Sequence, residues 1–506
     1  MDDLEPRLRA VCELMMPSVR EYAGRHEFDG LVQDLSPEGV RAGLARLGAG
    51  DRLPDPHDEA HLAAFEEGLR VTFGELELHR RNPLYHLANL DLSGYDRDYA
   101  PAAERAAARL AQLRLWPEAV DNAIAALDRM AAPVAEALVP AVRGLAAGVP
   151  ADAPEDVRRR ALDAHARLVA HMERRVAEGD PDVALGGPGL ARLMGVPEAL
   201  EVDLGALAEA ADAERDRLMA RLREDCARVD ASRDPLDLCR ELVRDHPDAD
   251  GVLEAARRWT ELALEFTRER DLVPYHDGEC LVGPAPESRR VAMAMMSWSA
   301  PGEPEGPSWY HIVPPDPSWP REAQEEWLEV FSATTLPGIT VHEVAPGHFS
   351  HGRAIRRAAT PVRRVLQSMA FAEGWAHYAE EMCVEEGFLA DDPRFAIGVW
   401  VEGLIRVTRL ACAIGVHTGA MTVAEAAARF RADTHLSGPA AMSEASRATF
   451  DPTYGRYTWG KLEILKLRDR AKAEWGAGFS PRRFHAAMLD LGSPPLGLLG
   501  TAVERG

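Results

Sequence analysis

The repeat that most constrains this chain is helical. From about residues 56 to 81, 98 to 148, 154 to 178 and 205 to 228, Ala, Leu, Arg and Glu recur at three- and four-residue spacing, the signature of one buried helix face. Prolines at 101, 117, 133 and 140 predict that the second stretch is divided into several helices, because proline removes a backbone donor and crowds the preceding turn. The run "ADAPEDVRRRALDAH" predicts a helix start, with Asp152 as the cap, Pro154 in the first turn, and acids ahead of bases. No self-similar period marks the chain as a helical repeat protein.

Near residue 270 the texture changes to short apolar runs among many Pro and Gly. Strands are predicted at Arg290 to Ser299 and Trp309 to Val313, joined by the loop "PGEPEGPS". Helical texture resumes at Arg321 and runs to about residue 490. The tail "LGSPPLGLLGTAVERG" is expected to lie loosely on the surface. The fold class is therefore mainly α with a small β-element. Residues 1–270 form a helical region covering a cleft, and residues 271–506 carry the β-element and a helical site-bearing region. No long polar linker separates them, which predicts one interlocked unit.

Composition narrows the partners. The 82 acidic residues against 58 basic ones leave a formal charge of −24, which disfavours nucleic acid and anionic membranes as partners. No stretch approaches the roughly 18 uninterrupted apolar residues of a membrane span. The six cysteines are scattered without a CxxC pair, and no basic leader with an apolar core is evident, so the expected location is cytoplasmic.

The chemistry concentrates in "TTLPGITVHEVAPGHFSHGRAIRR", Thr334 to Arg357. In HExxH zinc hydrolases the first histidine binds the ion and the adjacent glutamate activates water; here these are His342 and Glu343. The second ligand normally follows four residues later, about 40° around the helix, but that position is Pro346. His348 and His351 lie about 120° and 180° away from His342 on an ideal helix. Pro346 and Gly347 predict a break that re-aims the chain and returns His348 towards His342. A third ligand is expected from "SMAFAEGWAHYAEEMCVEEG", where Glu373, His377 and Glu380 or Glu381 share one helix face. Glu373 is the first choice and His377 the second. Gly374 would let another helix come close. His377 otherwise bonds Glu373 or Glu381 along its own helix. His351 is either a partner to a ligand or a solvent-facing residue.

Together, "HEVAPGHFSH", "FAEGWAHYAEE" and "DPTYGRYTWGKLEILKLR" resemble the bacterial domain-of-unknown-function family numbered 885. Its pattern is HExxPGH, then EGWAxYxE, then SYxxG. "RRNPLYHLANLDL" and "RVTRLACAIGVH" extend the likeness over most of the chain. The resemblance implies a zincin-like metallopeptidase architecture, with His342, His348 and Glu373 as ligands of one Zn²⁺ and Glu343 as general base. It makes Tyr457 the best oxyanion donor, with Tyr454 and His417 weaker. The chain departs from the pattern at His351, where Gln is expected, and at Ala413, where Asp is usual.

A substrate carboxylate would want an arginine fork. Arg406, Arg409, Arg447 and Arg456 are candidates, and Arg409 and Arg456, with Tyr454, are taken as the substrate-binding set. The expected activity is hydrolysis of an amide bond in a short peptide or small amide-bearing molecule. Two alternatives stay open. One is non-peptidase chemistry of specialised metabolism on the same scaffold, for which Fe²⁺ also suits two histidines and a carboxylate. The other is a non-catalytic helical binding protein.

Overall fold

A computed structural model describes residues 4–285 and 292–506. The fold is mainly helical with one three-stranded sheet. The main elements are α1 (Pro56–Leu69), α2 (Ala102–Ala126), α3 (Ala132–Gly144), α4 (Glu155–Glu178) and α5 (Leu204–Asp230), followed by β1 (Cys280–Pro284), β2 (Ala294–Ser297) and β3 (Ser308–Ile312). After them come α6 (Leu336–Glu343), α7 (His348–Arg357), α8 (Met369–Glu385), α9 (Pro393–His417), α10 (Arg456–Trp475) and the terminal α11 (Gly500–Arg505).

Proline starts helices here more than it divides them. Pro101 caps α2 and Pro133 sits in the first turn of α3, while Pro117 and Pro140 lie inside α2 and α3. The predicted division at those two interior prolines is therefore wrong. Trp116 and Val120 beside Pro117 are fully buried, and their packing offsets a lost hydrogen bond costing about 3 kcal/mol. Asp152 is not a cap either: Pro154 precedes α4, whose first turn holds Glu155 and Asp156.

The sheet order is β1-β3-β2, with β1 parallel and β2 antiparallel to the central β3. The second predicted strand matches β3. Of the first, β2 occupies Ala294–Ser297, while positions 290–291 lie outside the described residues. Alternation on β3 buries Tyr310 and Ile312 and leaves Trp309 exposed, stacked on His311.

The tail is the largest departure from expectation. Leu491, Leu496, Leu499, Ala502 and Val503 are buried in the same apolar cluster as Trp375 and Trp459. Ser368 N donates to the Ser493 carbonyl, and the Ser493 hydroxyl returns a bond to the Ser368 carbonyl. The start of α1 is tied to later segments: Arg363 pairs with Asp58 at 2.7 Å and Asp55 at 2.9 Å, and Arg505 pairs with Asp55 at 2.7 Å. Helix α5 packs along α9, with Leu218 against Gly403.

Candidate metal centre

The Pro-Gly break does what its chemistry predicts. Helix α6 ends at Glu343, the Ala345–Pro346 bond is cis, and α7 starts at His348. Gly347 passes so close to α6 that a Cβ there would sit 1.9 Å from the His342 carbonyl oxygen. No other residue fits. The returning chain puts the His342 and His348 rings edge to face with centroids 4.8 Å apart. Trp375 on α8 holds the turn, its indole N–H bonding to the Pro346 carbonyl at 3.0 Å.

Helix α8, capped by the Ser368 hydroxyl, delivers Glu373. Its Oε2 lies 3.4 Å from Nε2 of His342 and 3.4 Å from Nε2 of His348. One ligand atom from each of the three residues falls within 4.8 Å of the others. Behind them, Gly374 meets Gly460 of α10 so closely that a Cβ on Gly374 would be 2.5 Å from the Gly460 backbone. That contact brings the first turn of α10 to the cluster.

The electrostatics suit a cation. Burial pushes His342 down, but its bonds to Glu373 and Glu380 outweigh that and hold it up at about 9. Burial likewise opposes ionisation of Glu373, and the two imidazoles keep its carboxyl well below the usual range. Glu373 Oε2 is buried with no hydrogen-bond partner among the described residues, the kind of orphaned atom that a metal ion would satisfy. Nδ1–H of His342 donates to Glu380 Oε1 at 2.6 Å, which turns Nε2 towards the cluster, and Arg406 anchors Glu380 Oε2 at 2.8 Å. Two imidazole nitrogens and a carboxylate form the donor set of an open zinc site, so the residues fit the ion. Glu343 bonds to none of the described residues. It lies close enough to the Cys280 thiol and the buried Tyr310 hydroxyl that its charge adds to desolvation in raising both pKa values.

Tyr457 reaches this centre. Its ring stacks 6.3 Å from that of His342, under the guanidinium groups of Arg409 at 5.5 Å and Arg406 at 5.8 Å. Burial and the Glu373 charge push its hydroxyl pKa up, so it stays a donor. The other predicted residues are elsewhere or already engaged. His417 ends α9, 11 residues beyond Arg406 and so about 16 Å further along the helix. Its Nε2 donates to the Ala448 carbonyl at 2.7 Å, a structural tie and not a catalytic one. Tyr454 is fully buried against Cys412 and Phe430, under Arg447. Arg409 is held bidentately by Glu444, at 2.7 and 2.6 Å. Arg456 and Arg447 share Asp451, so neither predicted fork is free for a substrate carboxylate. His351 is fully buried and donates to the Gly492 carbonyl, and burial drops its pKa to about 3. It is thus neither solvent-facing nor a partner to a ligand. His377 lies 3.6 Å from Glu380 and outside the cluster.

Sequence reasoning missed an ionic lattice beneath the centre. Lys461 of α10, 1% exposed, bonds to Glu214 of α5 at 2.7 Å and to Glu381 of α8 at 2.8 Å, and Arg217 joins the same two acids. Only Glu381 carried a sequence signal, through its place on the face of α8.

A mainly helical scaffold with a buried His–His–Glu cluster on a broken helix defines the class. The chain belongs to the family described as bacterial proteins of unknown function, DUF885, which matches residues 17–503. No curated protein matches it. Among solved structures it is similar to a putative lipoprotein of unknown function from Shewanella oneidensis, 19% identical with a TM-score of 0.78 over 97% of each chain. It is also similar to a putative lipoprotein from Colwellia psychrerythraea, 16% identical with a TM-score of 0.79 over 98% of this chain and 96% of that one. At these identities the likeness establishes a shared fold.

Proposed function

We propose that this protein is a zincin-like, metal-dependent hydrolase that cleaves an amide bond in a short peptide or small amide-bearing molecule. The observation that carries this reading is the convergence of ligand atoms of His342, His348 and Glu373 within 4.8 Å, with Glu343 next to His342 in the chain. His342, His348 and Glu373 would hold a Zn²⁺ ion, which when bound would supply a water acidic enough to ionise near neutral pH. Glu343 would serve as the general base, holding the proton released by the attacking water and returning it to the leaving amine. Tyr457, kept protonated, donates to the oxyanion that develops on the carbonyl. Glu380 and Arg406 fix the His342 ring so that its Nε2 stays aimed at the ion.

From the sequence, the strand near "SWYHIVP" is the one expected to present backbone groups to an extended substrate. The segment "SWYHIVP" contains β3, which is central and paired on both sides, so its backbone groups are taken. Among the described residues β2 has an open edge, it packs on α6, and Trp298 just beyond it lies 6.3 Å from the His348 ring. An extended substrate would add to β2.

The test joins elemental analysis of freshly purified protein to a peptide-library digest read by mass spectrometry. The expected result is about one zinc per chain and cleavage that falls by at least 1,000-fold in Glu343→Gln. Iron with oxygen-dependent turnover would replace this reading with an oxidative one. A cytoplasmic setting is part of the proposal, supported by six cysteines without a disulfide, five of them buried. No helix among the described residues is long and apolar enough to cross a membrane. The solved relatives carry the lipoprotein description, so cell fractionation decides the location: recovery in the membrane fraction would overturn the cytoplasmic assignment.

A further inference from the structure

The hydrolytic reading leaves one sequence segment without a task, "RRNPLYHLANLDL". It and the segment that leads into α10 form two walls of a single cavity of about 410 Å³. Asn82, Leu84, Tyr85 and Ala88 come from the first; Asp451 and Thr453 come from the second. The Asn82 side-chain amide clamps the walls together by donating to the Phe450 carbonyl at 2.6 Å. Leu14, Leu69, Phe73 and Leu193 supply an apolar floor. The volume lies within the roughly 300–1,000 Å³ range of small-molecule sites.

Two observations define the occupant. The one carboxylate lining the cavity, Asp451, has its charge consumed by Arg456 at 2.7 Å and Arg447 at 3.0 Å, so it selects for no cation. The Tyr85 hydroxyl bonds to no described residue and is available to a neutral polar group. The site also sits next to the reaction centre along the chain. Arg456, which holds Asp451, is followed by Tyr457, whose ring stacks on His342.

We infer that this cavity receives a bulky, uncharged apolar group of the substrate, remote from the bond being cut. The inference rests on the hydrolytic reading for the word substrate, but the binding event can be measured without turnover. The experiment titrates full-length protein with two probes, N-acetyl-phenylalanine amide and N-acetyl-glycine amide, by calorimetry. Ala88 and Ser18 are exposed residues on the cavity lining, so Ala88→Trp and Ser18→Trp narrow it without opening the core.

Wild type and Glu343→Gln are expected to bind the phenylalanine probe at least tenfold more tightly than the glycine probe. Each tryptophan variant is expected to lose that preference with its melting temperature unchanged. Equal binding of the two probes by wild type, or variants that keep the preference, overturns the cavity's role. Selective binding by a protein that cuts no library peptide leaves the cavity standing and removes the hydrolase. Cleavage with no apolar preference and no probe discrimination does the reverse.

Discussion

The α2–α3–α4 bundle and the α5–α8–α9–α10 assembly handle charge in opposite ways. In the bundle the interior is apolar, built on Leu113, Trp116, Val120, Leu138 and Leu168, and pairs such as Arg167–Asp121 and Arg143–Glu173 sit on the outside. Around the His342–His348–Glu373 cluster, Glu380 and Lys461 are each 1% exposed, with their partners buried beside them. A buried ion pair is seldom more stable than apolar packing of the same volume. Its use around the cluster and not inside the α2–α3–α4 bundle therefore argues for direction over stability there. Glu380 aims the His342 ring by a directed bond, and Lys461 ties α10, which carries Tyr457, to α8, which carries Glu373, a task that non-directional packing does poorly.

The largest expected effect tests that contrast directly. Lys461→Met leaves Glu214 and Glu381 with Arg217 as their remaining cation and should cost about 3–5 kcal/mol of unfolding free energy. A shift in the urea midpoint measures it. A loss below about 1 kcal/mol would mean that the lattice is already solvated, and the comparison would fail.

A buried acid without any counter-charge comes next. Glu198 accepts bonds from the Ser368 hydroxyl at 2.7 Å and the Leu496 N–H at 2.8 Å, yet burial pushes it up to about 7. A raised folded-state pKa gives stability that is complete below the unfolded value near 4.3 and is lost as pH climbs through 7. Glu198→Gln should therefore raise stability by about 3 kcal/mol at pH 8 and leave it unchanged at pH 4. Melting temperatures across that range would show it. A parallel offset at both pH values would assign the effect to packing instead.

These two sites also show what the sequence could and could not reveal. The His342–His348–Glu373 cluster was legible because its residues are near neighbours in the chain: His342 and His348 are separated by a Pro-Gly whose geometry can be reasoned about, and Glu373 lies on a helix with a clear face. Lys461, Glu214 and Glu381 are 80 residues or more apart from one another, and no local pattern links them. The arginines were misjudged for the same reason. Arg409 and Arg456 read as free forks until Glu444 and Asp451 are seen to hold them. His417, a weaker donor implied only by the resemblance, lies at the far end of α9 and bonds to the Ala448 carbonyl. The tail failed because Gly and Pro were read as looseness, where Ser493 and Leu496 are anchored by Ser368 and Glu198.

A smaller effect isolates aiming from folding. Glu380→Gln keeps an oxygen for the His342 Nδ1–H but removes the charge that Arg406 anchors. Zinc affinity, measured by competition with a fluorescent chelator, should fall 10–100-fold, while the urea midpoint moves far less than in Lys461→Met. Unchanged affinity would show that Gly347 and Trp375 orient the ring without help from Glu380.

The smallest effect belongs to the bundle. Arg167 and Asp121 lie 2.6 Å apart, but their side chains are 50% and 65% exposed, so water screens the attraction and each side chain loses rotamer freedom in making it. Arg167→Ala should change stability by about 0.5 kcal/mol or less, and the double variant Arg167→Ala/Asp121→Ala should show a coupling no larger. A coupling above about 2 kcal/mol would place oriented, energetically significant charge on the bundle surface as well. The division between an apolar half that only folds and an ionic half that aims would then have no basis.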